Sequence, residues 1–477
     1  MKLLGLRVCE HDSNFTYFDG DKLHYFKTER KYQVKHHGVK DLNIWENIIN
    51  EEWGITSKDL DEIAIVFDPW HYNLNSRNES FFPAIDYFDF PADCKVSRVN
   101  HHYAHHLSCF PLTNQTCQNG IVIDGFGDLN KSWSVIKNNK IVSEGSEKYN
   151  GSIGLEMCKV GSLFNLVGHK LDMAGKVMSL QSYGRIDNDF YNFLRQFDID
   201  KIKDIFDHHY YCQDKIDWLR TTHEYVGDLL VKFFSKFFDK NDIFCFSGGV
   251  ALNVCWNSKL RNYFKNIIIP PHCNDEGLSL GAIEYLRIKH KLRKFKINNF
   301  PFCQNDISPN TSPEKNLIVK VCDLLKNQKI IGWYQGNGEI GPRALGNRSI
   351  LADPREKQMR EKINKIKKRE EFRPFGCSTI NKNFKKDPFM LYAEPIDVNS
   401  YPAVAHVDKT SRHQTVSSGL FYDLITQFYK QTNCDTLLNT SLNINGKPLC
   451  YGFSDAFNLF QNSELDAFVY GGQLFLK

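Results

Sequence analysis

Residues 119–128 read NGIVIDGFGD: Ile121, Val122 and Ile123 run without a polar break, Asp124 ends the run, and Gly125, Gly127 and Asp128 follow. The run is β-branched and too short for a helix, so it predicts a buried strand with an acid at its end. The same shape occurs in KLLGLRV (2–8), which leads toward His11, Asp12 and Ser13, and in LDEIAIVFD (60–68). DIFCFSGGVALN (242–253) and KNIIIPPHCNDEG (265–277) repeat it. Buried strands that each finish in polar residues predict an α/β fold with its site at the strand ends. KLHYFKTERK (22–31) predicts a further strand, and HEYVGDLLVKFFSKFFDK (223–240) a helix.

A chain of 477 residues exceeds one ordinary core, so two domains are expected. The stretch 294–316, with three prolines and little periodicity, supplies the break, and alternation restarts in LIVKVCDLLKNQKIIGWYQG (317–336). The expected domains are 1–305 and 306–477. A hydrophobic share of 42% with 24% charge excludes disordered and fibrous classes. The net charge of +4 permits an anionic ligand without demanding nucleic acid. No apolar run approaches the roughly 20 residues of a membrane span, and Arg7, Glu10, His11 and Asp12 interrupt any leader-like apolar start. The 14 cysteines contain no CxxC pair, which argues for reduced thiols in a cytoplasm, a host cytoplasm if the source is viral. A homodimer is left open.

NHHYAHHLSCF (100–110) holds four of the chain's 17 histidines within six positions. On a helix, His101 and His105 at i and i+4 share one face and suit one metal ion, while His102 and His106 form a second pair on the next face. Asp124 at a strand end and Asp275, in NDEGLSLGA (274–282), add two carboxylates. Two imidazoles with two carboxylates suit Fe2+, Mn2+ or Zn2+. In FSGGVALN (246–253), Gly248 and Gly249 sit where a strand gives way to a helix, a place for an anion. Arg343, Arg348 and Arg355 lie in or beside a glycine-rich turn in QGNGEIGPRALGNRSILADPR (335–355), and arginines among fixed turns suit a phosphate-bearing substrate.

Taken in order, these stretches resemble the O-carbamoyltransferase family, whose members modify antibiotics and nodulation factors. GLRVCEHDS, TERKYQVKHHG, the histidine box, AGKVMSLQSYG, GPRALGNRSILADPR, REEFRPF, HVDKTSRHQTV and LLNTSLN all resemble its segments. The resemblance implies an ATPase-like first domain, similar to threonylcarbamoyl ligases, and a YrdC-like α/β second domain. It implies that carbamoyl phosphate and ATP, with Mg2+, yield carbamoyl-AMP in the second domain, and that the carbamoyl group then passes to a hydroxyl in the first. On this basis His101, His105, Asp124 and Asp275 hold a divalent metal, Fe2+ foremost, and His11 serves as general base or positions the acceptor. Lys367 and Arg373 join His11 as catalytic residues, while Gly248, Gly249, Asn253, Arg343, Arg412 and Ser441 bind the co-substrate. His106, Asn337, Gly376–Cys377 and Ser179, Gln181 and Ser182 depart from the family's usual residues.

The acceptor expected first is 5-hydroxymethylcytosine in DNA or its nucleotide, because the composition is phage-like and RIKHKLRKFK (287–296) is basic. The alternative is a sugar or natural-product hydroxyl. A tRNA-modifying threonylcarbamoyl enzyme is disfavoured by GPRALGNRS, and a non-catalytic nucleotide-binding regulator by the intact metal and arginine boxes.

Overall fold

The computed structural model describes residues 1–8, 11–39, 44–67, 94–113, 117–145, 151–295, 297, 299–304 and 313–477. The expected boundary at 305/306 lies outside them, as does Asp68. The fold is mixed α/β, built on three sheets among the described residues.

The first sheet contains β1 (Leu3–Val8), β2 (Asn14–Phe18), β3 (Leu23–Lys27), β4 (Glu62–Phe67) and β5 (Lys95–Arg98), in the order β3-β2-β1-β4-β5. The second contains β6 (Gly120–Ile123), β7 (Trp133–Lys137), β8 (Lys140–Gly145), β9 (Ile243–Ser247) and β10 (Asn266–Ile268), in the order β10-β9-β6-β7-β8. Their wiring is the same. The first strand of each pairs antiparallel with the second and parallel with the fourth, and the fifth lies parallel beyond the fourth. β1 and β6 are the all-buried central strands, as expected of apolar runs covered on both faces.

Two helices lock the sheets together. The helix His101–Ser108 runs from the first sheet toward the second, and the helix Leu278–Lys289 returns after β10 to pack on β1, β2 and β4. The two helices touch closely at Gly281, where a Cβ would lie 1.9 Å from the Ala104 carbonyl oxygen. Only glycine fits there.

The third sheet contains β11 (Ile331–Tyr334), β12 (Arg348–Ala352), β13 (Gly376–Thr379), β14 (Ala393–Pro395), β15 (Thr410–Thr415), β16 (Thr436–Ser441), β17 (Ala467–Tyr470) and β18 (Gln473–Leu476). Its order is β14-β15-β13-β16-β12-β11-β17-β18, and separate apolar clusters form around Ile350 and Phe468 and around Trp333 and Phe428.

Two expected elements are corrected. The strand drawn over 22–31 stops at Lys27, and a helix, Thr28–Tyr32, follows. Glu29 and Arg30 are buried and paired, which a solvated strand end does not allow. The helix drawn over 223–240 spans Lys215–Phe234. Asp214 caps it by accepting from the Ile216 N–H at 2.9 Å, and the apolar pattern continues past its end because Phe238 stacks on Phe244.

Candidate active site

The helix His101–Ser108 starts at Asn100, whose side chain accepts from the Tyr103 N–H. Asp128 also holds the start: its carboxylate accepts from the His101 N–H at 2.7 Å and pairs with Arg98. Asp128, the acid that follows the Gly125–Gly127 turn, therefore orients the histidine helix.

His101 and His105 meet both predicted carboxylates. Asp124 Oδ2 lies 3.1 Å from His101 Nε2 and 3.3 Å from His105 Nε2. Asp275 Oδ1 lies 3.6 and 3.4 Å from the same nitrogens. One ligand atom from each of the four residues falls within 4.8 Å of every other, and all four residues are buried. The second carboxylate oxygens are occupied: Gly249 N–H donates to Asp124 Oδ1 at 2.7 Å, and Arg7 donates to Asp275 Oδ2 at 2.8 Å. Such outer contacts turn the remaining oxygens toward the imidazoles, as metal sites require. Although burial opposes it, Asp275 and Asp124 push the His101 imidazole up to about 10. Burial likewise opposes the ionised form of Asp124, yet His101 and His105 hold it below the usual carboxylate range. The donor set fits a divalent cation, which would take the place of the protons shared here.

His102 and His106 do something else. Burial pushes them down to about 3 and about 4, so both are neutral. His102 Nδ1 lies 2.6 Å from Ser134 Oγ on β7, and His106 Nε2 lies 3.5 Å from Asn139 Oδ1. They pack the helix against the second sheet.

His11 Nδ1 lies 3.0 Å from Asp12 Oδ2 and 3.9 Å from Asp275 Oδ2. Asp12 Oδ1 lies 3.1 Å from His36 Nδ1, and His36 Nε2 lies 3.3 Å from Asp172 Oδ1. A second acidic group, Asp12, Glu29 and Glu276, adjoins it. Its cation is already present: Lys27 Nζ lies 3.0 Å from Glu29 and 2.8 Å from Glu276. Sequence reading missed Arg7, Asp12, His36 and Lys27. The one local signal was Asp12 beside His11 at a strand end.

Gly248 N–H donates to the Cys273 carbonyl at 2.7 Å. Asn253 caps the helix Val254–Tyr263 and places its Nδ2 3.0 Å from His223 Nε2. The turn 248–253 thus adjoins Asp124 through Gly249.

The predicted cations of the third sheet gather elsewhere. Lys367 Nζ donates to Ser441 O at 2.5 Å, Ser441 Oγ at 3.1 Å, Asn443 O at 3.0 Å and Asn443 Oδ1 at 2.7 Å. Burial, then Arg369 and Arg373, pushes this ammonium well below its usual range. Burial, then Arg343 and Arg373, does the same to Arg412. Among the described residues, the buried Nε atoms of Arg343 and Arg412 have no hydrogen-bond partner. Arg373 is 28% exposed and stands 3.7 Å from Glu370. Asp387 acts on Arg412, but its oxygens accept backbone N–H groups of Phe389, Leu391 and Tyr392. Crowded guanidinium groups with so little acid make a cluster suited to an anion. Of the three arginines in 335–355, only Arg343 joins it. Arg348 donates to the carbonyls of Gln335 and Gly336, and Arg355 pairs with Asp353. Arg343 Nη2 donates to Leu252 O at 3.4 Å, within the turn 248–253.

Residues 88–283 match the family described as the carbamoyltransferase N-terminus, and residues 322–477 match the carbamoyltransferase C-terminus. The chain belongs to the carbamoyltransferase family.

This carbamoyltransferase family member is 30% identical over 434 residues to the uncharacterized protein MJ1051 of Methanocaldococcus jannaschii, covering 79% of this chain and 82% of that one. It is 35% identical over 270 residues to the nodulation protein NolO of Bradyrhizobium diazoefficiens, covering 49% of each. It is 32% identical over 244 residues to the 3'-hydroxymethylcephem-O-carbamoyltransferase of Streptomyces clavuligerus, covering 47% of each. The matched stretch thus spans about half the length of these last two relatives. Among the described residues, no helix is long and apolar enough to cross a membrane.

Proposed function

We propose that the protein is an ATP-dependent O-carbamoyltransferase working in two steps. In residues 306–477, a YrdC-like unit, carbamoyl phosphate, water and ATP with Mg2+ yield carbamoyl-AMP, phosphate and pyrophosphate. In residues 1–305, an ATPase-like unit, the carbamoyl group passes to an acceptor hydroxyl and AMP leaves. The observation that carries the reading is one chain with two unlike centres, an imidazole–carboxylate cluster and an acid-poor guanidinium pocket. The repeated wiring of the first two sheets supports the ATPase-like assignment.

In the second unit, Arg343, Arg373 and Arg412 bind phosphate oxygens, and Lys367 does so from its position beside Ser441. In the first unit, a hydroxyl attacking a carbamoyl carbon must give up its proton. His11 takes it: Asp12 engages Nδ1, which leaves Nε2 as the accepting nitrogen. His101, His105, Asp124 and Asp275 would hold the metal, Fe2+ foremost, with Mn2+ or Zn2+ as alternatives. When bound, it supplies positive charge for the phosphate of the leaving nucleotide. Gly248, Gly249 and Asn253 line the nucleotide side of this centre by close backbone approach, since the two glycine N–H groups already donate to the Cys273 carbonyl and Asp124.

The acceptor is a sugar or natural-product hydroxyl. The cephem relative's name, an O-carbamoyltransferase of a hydroxymethyl group, supports this. So does the state of the basic stretch 287–296. Arg287 pairs with Glu284, Lys289 and His290 with Glu62, and Lys294 donates to the Thr113 carbonyl. Lys291 and Arg293 stay exposed, so the charge argument for a hydroxymethylated DNA acceptor is weakened.

The test is mass spectrometry of products from an aminoglycoside, a cephem alcohol, 5-hydroxymethylcytosine nucleotide and hydroxymethylated duplex DNA, each under one salt series. Carbamoylation of the small alcohols with a shallow salt response is expected, whereas a duplex substrate would fail steeply as salt rises. Absence of both product and ATP–pyrophosphate exchange would leave a nucleotide-binding regulator.

A further inference from the structure

Two neighbouring residues on one short helix serve different centres. On the helix Thr28–Tyr32, Glu29 pairs with Lys27, and Lys27 pairs with Glu276, next in sequence to Asp275. Arg30 is fully buried, and its Nη2 donates to the carbonyls of Glu339 and Gly341 at 3.1 and 3.3 Å. Those carbonyls open the loop that carries Arg343. The loop is braced from within, because Glu339 Oε1 accepts the backbone N–H groups of Leu345, Asn347 and Arg348 at 2.7, 2.9 and 3.1 Å. It is also pressed from the side: a Cβ on Gly341 would lie 2.2 Å from the Pro271 carbonyl oxygen, four residues before Asp275. Just past the helix, Gln33 donates to Leu449 O at 3.1 Å and accepts from Lys447 at 3.3 Å. The helix therefore also touches the segment that follows the Lys367 acceptors Ser441 and Asn443.

We propose that Arg30 is a positioning residue that fixes the Glu339–Gly341 backbone and so holds the Arg343 guanidinium in the anion pocket, tying that pocket to the floor of the imidazole–carboxylate cluster. The proposal rests on reading the Arg343, Arg373 and Arg412 pocket as a phosphate site. Its physical basis is the guanidinium Nη2, whose two N–H groups reach both carbonyls from a rigid planar head; a lysine would have to hold the same pair from a flexible stem. Loss of that nitrogen leaves two loop carbonyls without their donor. The loop lies more than three hundred residues from Arg30, so local sequence does not replace the tie.

The experiment is calorimetric titration of the full chain with inorganic phosphate, alongside divalent-metal stoichiometry and the KM and kcat for carbamoyl phosphate. The variants are Arg30→Ala, Arg30→Lys, Gly341→Ala and Arg412→Ala. Arg30→Ala is expected to bind phosphate roughly tenfold more weakly, with Arg30→Lys between it and the parent, metal stoichiometry unchanged, and KM rising more than kcat falls. Parent-like phosphate binding in Arg30→Ala, with loss in Arg412→Ala, overturns the role of Arg30 and spares the pocket. Parent-like binding in Arg412→Ala overturns the pocket and the proposal with it. Loss of metal together with phosphate in Arg30→Ala marks general collapse and overturns the specific role. Should Arg30→Ala fail to fold, Arg30→Lys and Gly341→Ala decide by the same titration, and parent-like binding in both overturns it.

Discussion

His101 and His105 differ from His102 and His106 in partner rather than in burial. The first pair faces two ionised carboxylates, and the second faces a hydroxyl and an amide. Replacing both His101 and His105 by alanine is expected to abolish divalent-metal binding and hydroxyl transfer while ATP–pyrophosphate exchange persists. Metal analysis and the exchange assay check this; a fully loaded double mutant would refute the assignment. His36 gives a separate prediction. Burial opposes its charge, yet Asp12 and Asp172 raise it to about 10, with Glu29 adding to the effect. His169 stacks on it, and Lys35 pairs with the same Asp172. A raised imidazole contributes stability that is complete below its unfolded value of about 6.5 and fades as pH climbs through the folded value. Parent and His36→Gln should therefore differ by roughly 1–3 kcal/mol near neutrality or below, and converge toward about pH 10. Denaturant midpoints across that range decide it, and a constant gap would be fatal.

At the scale of elements, the histidine helix is held from three sides. Asp128 and Asn100 fix its start, His102 and His106 fix it to the second sheet, and the helix Leu278–Lys289 presses on Ala104. Gly281→Val would drive the two helices apart. The expected cost is about 1–3 kcal/mol, the usual scale of overpacking, together with weaker metal binding, since Asp275 precedes this helix and His101 and His105 stand on the other. Thermal unfolding and metal titration of the same sample test the link; a destabilised variant with parent-like metal affinity would break it. The histidine box was legible because its geometry is local. The i, i+4 spacing and an acid at a strand end need no knowledge of the rest of the chain. Arg7, Lys27 and Arg30 were not legible, because each pairs with a residue far away in sequence. The strand drawn through Lys31 failed for that reason: Glu29 and Arg30 look solvated until their distant partners are known.

At the scale of the whole molecule, the alternation of apolar runs gave the α/β class but hid the duplication. The two five-stranded sheets share one wiring, yet no internal sequence repeat accompanies it. Wiring needs only buried strands in a given order, and many side-chain sets satisfy that. The candidate metal ligands come from the ends of the second sheet, Asp124 after β6 and Asp275 after β10, and from the helix His101–Ser108 that joins the two sheets, while Arg7 of the first sheet holds Asp275. Salt bridges also cross from these sheets to the third, as in Lys176 with Glu370. Glu370→Gln should leave metal binding intact and lower the unfolding midpoint modestly, by about 1 kcal/mol or somewhat more for a buried lysine losing its partner. Differential scanning calorimetry measures it, and an unchanged profile would show that the contact carries no weight.

The contact of Arg343 with the Leu252 carbonyl has a kinetic consequence. The Arg343 side chain touches the turn beside the imidazole–carboxylate cluster, so under the proposed two-step reading the two chemistries share a wall. An activated carbamoyl group made at one need not diffuse through bulk water, where hydrolysis would consume it. Hydroxylamine added to a turning-over sample should therefore intercept little of it, and hydroxyurea should stay a minor product beside the carbamoylated alcohol. Widening that wall by Arg343→Ala should raise the intercepted share of whatever flux survives. Chromatography of the two products gives the partition directly, and abundant hydroxyurea from the parent protein would mean that the intermediate is released.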